Sequence, residues 1–136
     1  LGRISGPLLD RIDLRVDVPP VSFADLDLPP SGDDSATVAA RVKAARARQA
    51  ERYGEMGRVR LNCDVEGGLL EEVARPDEEG RALLTRAADR FGLTARGYHR
   101  VMRVARTIAD LDDDETGAQP HVAEALGYRL IGTKSG

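Results

Sequence analysis

The chain has 136 residues, with 20 basic and 23 acidic side chains and a formal net charge of −3, a length that suits one domain with its own hydrophobic core. That balance excludes a globally basic nucleic-acid binder, though not a local basic patch. A single cysteine, Cys63, excludes a disulfide framework and a cysteine-based zinc site, and points to a reducing, cytoplasmic compartment.

Residues 12–18, Ile-Asp-Leu-Arg-Val-Asp-Val, alternate apolar and charged side chains, the period of a β-strand with one buried face. Pro19-Pro20 ends it. A strand needs a partner for its backbone groups, and only Arg58 to Leu61 offers a faint second candidate. The strand therefore reads as one left over from a larger sheet. Residues 19–34 hold four prolines together with Ser31, Gly32, Asp33 and Asp34, the composition of a linker loop.

Asp34 or Ser35 then caps a helix predicted to run to about Tyr53. Val38, Val42 and Ala45 form its apolar stripe, with Arg41, Arg48 and Arg52 together on a neighbouring face. Residues 41–60 hold seven basic and two acidic side chains, a local net of +5. Gly54 and Gly57 break this helix. A short helix follows over 67–75 through Leu69, Leu70 and Val73. Pro76-Asp77 opens another, which ends at Gly92 and packs through Leu83, Leu84, Ala87, Ala88 and Phe91. Thr94 caps the next, to about Asp112, whose stripe is Val101, Val104, Ala105, Ile108 and Leu111. The last helix, about 119–128, packs through Val122, Ala125 and Leu126. The fold class is mainly α: a helical bundle preceded by one β-strand.

Self-contained chemistry is hard to find in this pattern. A phosphate cradle needs Gly-x-x-x-x-Gly-Lys-Ser/Thr ahead of a helix. Gly127, Gly132, Thr133, Lys134 and Ser135 miss it by one position, and 131–136 reads as a flexible tail. Asp110, Asp112 and Asp114 have the spacing that begins a calcium loop. Glu115 replaces the required glycine and His121 the bidentate glutamate, so the run reads as a solvated acidic turn. His99 and His121 lack partners at ligand spacing, and no metal site is expected. Cys63 reads as a small buried residue.

Two arginine positions stand out. Arg96, Arg100 and Arg103 share one helix face by their spacings of four and three. Arg96 falls in the first turn, where the helix dipole is already positive and a nearby anion would offset the cost of a cation. Arg11 follows Gly6-Pro7-Leu8-Leu9-Asp10 at the edge of the expected strand, where it either pairs with Asp10 or Asp13 or projects outward.

Three blocks resemble one family. Arg3-Ile4-Ser5-Gly6-Pro7-Leu8-Leu9-Asp10-Arg11-Ile12-Asp13-Leu14 is similar to the late part of the AAA+ core in the magnesium-chelatase-like ATPases of the ComM/YifB type. The stretch from Leu93 to Leu111, which begins Leu-Thr-Ala-Arg-Gly-Tyr-His-Arg-Val-Met-Arg, resembles the same family, as does His121-Val122-Ala123-Glu124-Ala125-Leu126-Gly127-Tyr128-Arg129. Gly97 stands where the resemblance leads one to expect Ala, a change that should weaken its helix by up to about 1 kcal/mol.

The resemblance implies a fragment of a ring-forming ATPase: 1–18 the last strand region of the core, 19–34 the linker, 35–130 the helical lid. It maps the family's arginine finger to Arg11, acting in trans on a neighbour's ATP, and its sensor-2 residue to Arg96. It implies ATP and Mg²⁺ in the intact parent, hexameric self-association and action on DNA of the branch-migration or natural-transformation type, with no membrane partner. The residues that touch DNA are not assigned. The fragment alone is expected to be catalytically inactive. Two alternatives remain: an autonomous helical nucleic-acid-binding module, and a subunit of a metal chelatase.

Overall fold

Seven α-helices and one 3-10 turn follow one another along residues 6–29 and 32–130, the residues that the computed structural model describes. The helices are α1 (Gly6–Asp10), α2 (Phe23–Leu26), α3 (Ser35–Tyr53), α4 (Gly67–Val73), α5 (Glu78–Phe91), α6 (Ala95–Leu111) and α7 (Gln119–Leu130). The 3-10 turn spans Asn62–Asp64, between α3 and α4. The tail 131–136, with its near-miss phosphate motif, lies outside the described residues, as do residues 1–5 and 30–31.

Three of the four long helices begin at a side-chain cap, and two of them end at a left-handed residue. Asp34 caps α3 by accepting from Thr37 N at 2.7 Å, Asp77 caps α5 by accepting from Gly80 N at 2.8 Å, and Thr94 caps α6 by accepting from Gly97 N at 2.9 Å. Gly92 closes α5 at φ 64°, a left-handed conformation that glycine adopts at little cost. At the end of α6 the same place is taken by Asp113, also at φ 64°. Asp114 N donates to Ala109 O at 2.8 Å and Asp113 N to Asp110 O at 3.3 Å, the two bonds of a Schellman ending.

Helix α6 is the axle of the fold. It packs against α7, α3, the 3-10 turn and α4, while α7 also packs against α5. Leu70, Leu84, Met102, Val65, Val101 and Val122 are fully enclosed. Each such side chain contributes on the order of 1.5–3 kcal/mol relative to exposure. The expected stripes of α6 and α7 face this core, with Val101, Ala105, Ile108, Val122, Ala125 and Leu126 all buried. In α5, Leu84 and Ala87 are buried, whereas Phe91 at the end of its stripe is exposed.

Two expectations need correction. The expected strand over 12–18 does not form, and no strand occurs among the described residues. The segment is extended, but a ladder needs a second strand and none is beside it. Arg15 N instead donates to Tyr128 O near the end of α7, at 2.9 Å. Leu14, Val16 and Val18 are exposed, so the alternating pattern has no surface to bury against. Arg58 to Leu61 is not a strand either. Secondly, Val38 and Val42 are exposed. The first half of α3 extends past the core, and its helix reaches the bundle only from Ala45 onward.

Candidate functional site

The arginines that share the face of α6 have separate uses. Arg103 Nε donates to Val65 O at 2.8 Å and so ties α6 to the loop after the 3-10 turn. Arg100 pairs with Asp13 of the N-terminal segment. Arg96 is exposed in the first turn and forms no ion pair among the described residues. Of the three, it alone is left facing solvent, at the positive end of the helix dipole.

Arg11 lies just past α1, in a turn closed by Arg11 N to Leu8 O at 3.0 Å and Ile12 N to Leu9 O at 3.1 Å. Its residue is exposed. Of the two partners the sequence offers it, Asp13 is taken by Arg100. The turn is fastened from the far end of the chain. Arg129, buried in α7, donates through one terminal nitrogen to Leu9 O at 3.1 Å and to Ile12 O at 2.9 Å. Arg15 returns the contact, its guanidinium donating to Arg129 O. Sequence reasoning misses Arg129 because an arginine in the last turn of a helix reads as an ordinary solvated cation.

The acidic run from Asp110 to Glu115 divides: Asp112 to Glu115 are exposed, as a solvated turn would be, whereas Asp110 is buried and met by arginines. Asp110 is buried and accepts from Arg52 at 2.6 and 3.0 Å, from Asn62 at 2.8 Å and from Arg106 at 3.1 Å. Burial alone would raise its pKa. The hydrogen bonds from Arg52 and Asn62 and the charges of Arg106 and Arg52 outweigh that, holding the carboxyl below its ordinary value. Arg106 also donates to Glu115 O at 2.5 Å and Asp114 O at 2.6 Å. Arg48 pairs with Asp113, and Arg41 with Asp112 at 3.7 Å. The row of Arg41, Arg48 and Arg52 on α3 is thus turned toward the acidic turn, which neutralises part of the basic excess read from residues 41–60.

His121 is buried rather than isolated, and it meets two of those carboxylates. One ligand atom each from Asp112, Asp114 and His121 lies within 4.8 Å of the others. The hydrogen bonds assign the proton, however. His121 Nδ1 accepts from Ala118 N at 2.9 Å, so in the neutral ring Nε2 carries the hydrogen. Nε2 lies 3.2 Å from Asp112 and 3.1 Å from Asp114, and donates toward them. A metal at Nε2 would have to displace that proton while Nδ1 stays committed as acceptor. The group is suited to fastening the start of α7. His99 lies edge-on to Tyr98, with ring centroids 6.1 Å apart.

Cys63 is exposed, contrary to its sequence reading. Partial desolvation of the sulfur and the adjacent Asp64 carboxylate both push its thiol pKa up, the opposite of what activates a nucleophilic thiol. It borders an apolar groove of about 290 Å³ with Leu14, Ile108 and Tyr128. Its lining also carries the Asp13 and Glu124 carboxylates, with Arg103 engaged by Val65 O, which disfavours a phosphate there. No helix among the described residues is long and apolar enough to cross a membrane.

The sequence is similar to known proteins over almost its whole length. The family of the C-terminal region of ChlI, a magnesium chelatase component, matches residues 32–129. The competence protein ComM of Haemophilus influenzae is 38% identical over 132 residues, which cover 96% of this chain and 25% of that protein. The YifB protein of Escherichia coli is 36% identical over 133 residues, covering 96% and 25% respectively. A Mycobacterium tuberculosis protein is 38% identical over 137 residues, covering 98% and 26%. The chain therefore spans about a quarter of the length of the curated relatives it matches.

Proposed function

The chain belongs to the magnesium chelatase family defined by the C-terminal domain of ChlI, and from that premise we propose that it is the helical lid of a much longer ring-forming AAA+ ATPase of the ComM/YifB type. On this reading ATP with its Mg²⁺ binds between subunits, and the chain supplies two cations to it. Arg96 touches the nucleotide of its own subunit, as the sensor-2 residue. Arg11 reaches into a neighbour's site and offsets the charge that develops on the γ-phosphoryl group. The assembled ring, a hexamer, works on DNA in the manner of a branch-migration or competence motor.

The observation that carries this reading is the isolation of Arg96. Arg100 and Arg103 on its face are engaged by Asp13 and Val65 O, while Arg96 stands exposed where the helix N-terminus already favours an anion. Arg11 is exposed as well, and Asp13 is engaged by Arg100. These residues fit a phosphate contacted at its edge. On this reading binding and hydrolysis need the rest of the ATPase, and the purified chain by itself should show no ATP turnover.

The test is ATP hydrolysis by a full-length protein containing this chain, with nucleotide binding measured alongside. Arg11→Ala should reduce turnover by about 10³-fold with binding retained, the range known for arginine fingers. Arg96→Ala should weaken nucleotide binding. Unchanged turnover in Arg11→Ala would remove the finger assignment.

A further inference from the structure

The two candidate arginines lie on segments that meet at one buried side chain. Arg129 uses a single terminal nitrogen to hold Leu9 O and Ile12 O, the two carbonyls that bracket Arg11. On its other side the guanidinium lies against the first turn of α6. A Cβ added at Gly97, the residue after Arg96, would sit 3.2 Å from one terminal nitrogen of Arg129 and 3.5 Å from its Nε. A side chain at 97 would press on the guanidinium, which would have to give by a few tenths of an ångström. The contact is reciprocal, because Arg15 N holds Tyr128 O at 2.9 Å and the Arg15 side chain holds Arg129 O.

Building on the proposed function, we propose that Arg129 is a positioning residue that sets the turn bearing Arg11 against the helix start bearing Arg96. It touches no nucleotide. Its two bonds reinforce the turn at Leu9 O, which also accepts from Ile12 N, and take up Ile12 O, and so they fix where the Arg11 side chain emerges. A finger that must meet a γ-phosphate across a subunit boundary is sensitive to placement, and about 1 Å of error costs on the order of 10²-fold in rate. Lysine retains the charge and several donors but not the planar fork, so it restores the contact only in part.

The experiment uses the full-length protein and measures kcat and KM for ATP together with thermal unfolding. The variants are Arg129→Met, Arg129→Lys, Arg11→Ala and the double variant Arg11→Ala/Arg129→Met. Arg129→Met should lower kcat by roughly 10- to 100-fold, with Arg129→Lys intermediate. The double variant should be no slower than Arg11→Ala alone, because Arg129 acts through Arg11. If Arg129→Met does not fold, the intermediate rate of folded Arg129→Lys decides. Losses that multiply in the double variant, or wild-type turnover in folded Arg129→Lys and Arg129→Met, would overturn the proposal while Arg11→Ala remains impaired. Full activity of Arg11→Ala would instead fell the finger reading itself, and this proposal with it.

Discussion

Asp110 holds together three parts of the chain that are far apart in sequence. Its carboxylate is met by Arg52 from α3, Asn62 from the 3-10 turn and Arg106 from its own helix. A buried ion pair of this kind adds little over an apolar substitute, but losing one member strands the other charges. Asp110→Asn keeps the shape and leaves two guanidinium groups without their shared anion. It should cost about 3–5 kcal/mol, read as a lower urea midpoint. The pH dependence has a definite sign. The folded pKa of Asp110 lies below its unfolded value. Its stabilisation is therefore complete above the unfolded value of about 4, and is lost as pH falls through the folded one. Acid unfolding of the wild type below about pH 4 should include this contribution. Asp110→Asn should show a flatter stability profile over the same range, and an identical profile would remove Asp110 from the account.

At the scale of elements, the capped helices were legible from sequence and the N-terminal segment was not. Asp34, Asp77 and Thr94 announce helix starts because their side chains satisfy specific orphan N–H groups three residues ahead, a relation written locally in the chain. The alternation at 12–18 carries no such closure. It states which side chains prefer one face, while the ladder partner that would make it a strand has to come from elsewhere. Likewise Val38 and Val42 have helical spacing, but their exposure depends on how far α3 runs beyond its neighbours. For the site, the placement of Arg96 in a first turn was legible. The capture of Arg41, Arg48 and Arg52 by the acidic turn, and the burial of Arg129 and His121, were not, because both arise from contacts between distant helices. The cap that presents Arg96 can be tested alone. Thr94→Ala removes the acceptor for Gly97 N and should cost about 1 kcal/mol, measured by thermal unfolding. Gly97→Ala should bring no stability gain despite the better helix propensity of alanine. Its Cβ would stand 3.2 Å from Arg129, which two carbonyls hold in place, and 3.3 Å from Thr94 Oγ1. A clear rise in melting temperature for Gly97→Ala would show that Arg129 yields freely.

At the scale of the whole molecule, charge decides between a lid and an independent nucleic-acid-binding module. Neutralising Z phosphates requires free cations, and each one steepens the fall of affinity with salt. The richest basic stretch, residues 41–60, has three of its seven cations paired with carboxylates, Arg52 with buried Asp110 and Arg41 and Arg48 at the surface with Asp112 and Asp113. On the α6 face, Arg100 and Arg103 are likewise occupied. The overall charge of −3 adds a repulsive field, and the chain has only three Tyr and two Phe on which bases could stack. The isolated chain should therefore bind duplex DNA no more tightly than a Kd of about 10⁻⁴ M at physiological salt, the weak end of non-specific binding. Fluorescence anisotropy of a labelled duplex across a salt series measures this directly. Asp33→Asn/Asp112→Asn/Asp113→Asn, which removes the carboxylates paired with Arg41 and Arg48, should strengthen binding and steepen its salt slope toward two further phosphate contacts. Micromolar binding by the unmodified chain, with a slope of four or more, would mean that the remaining cations Lys43, Arg46, Arg58 and Arg60 form a face of their own, and the independent module would then displace the lid.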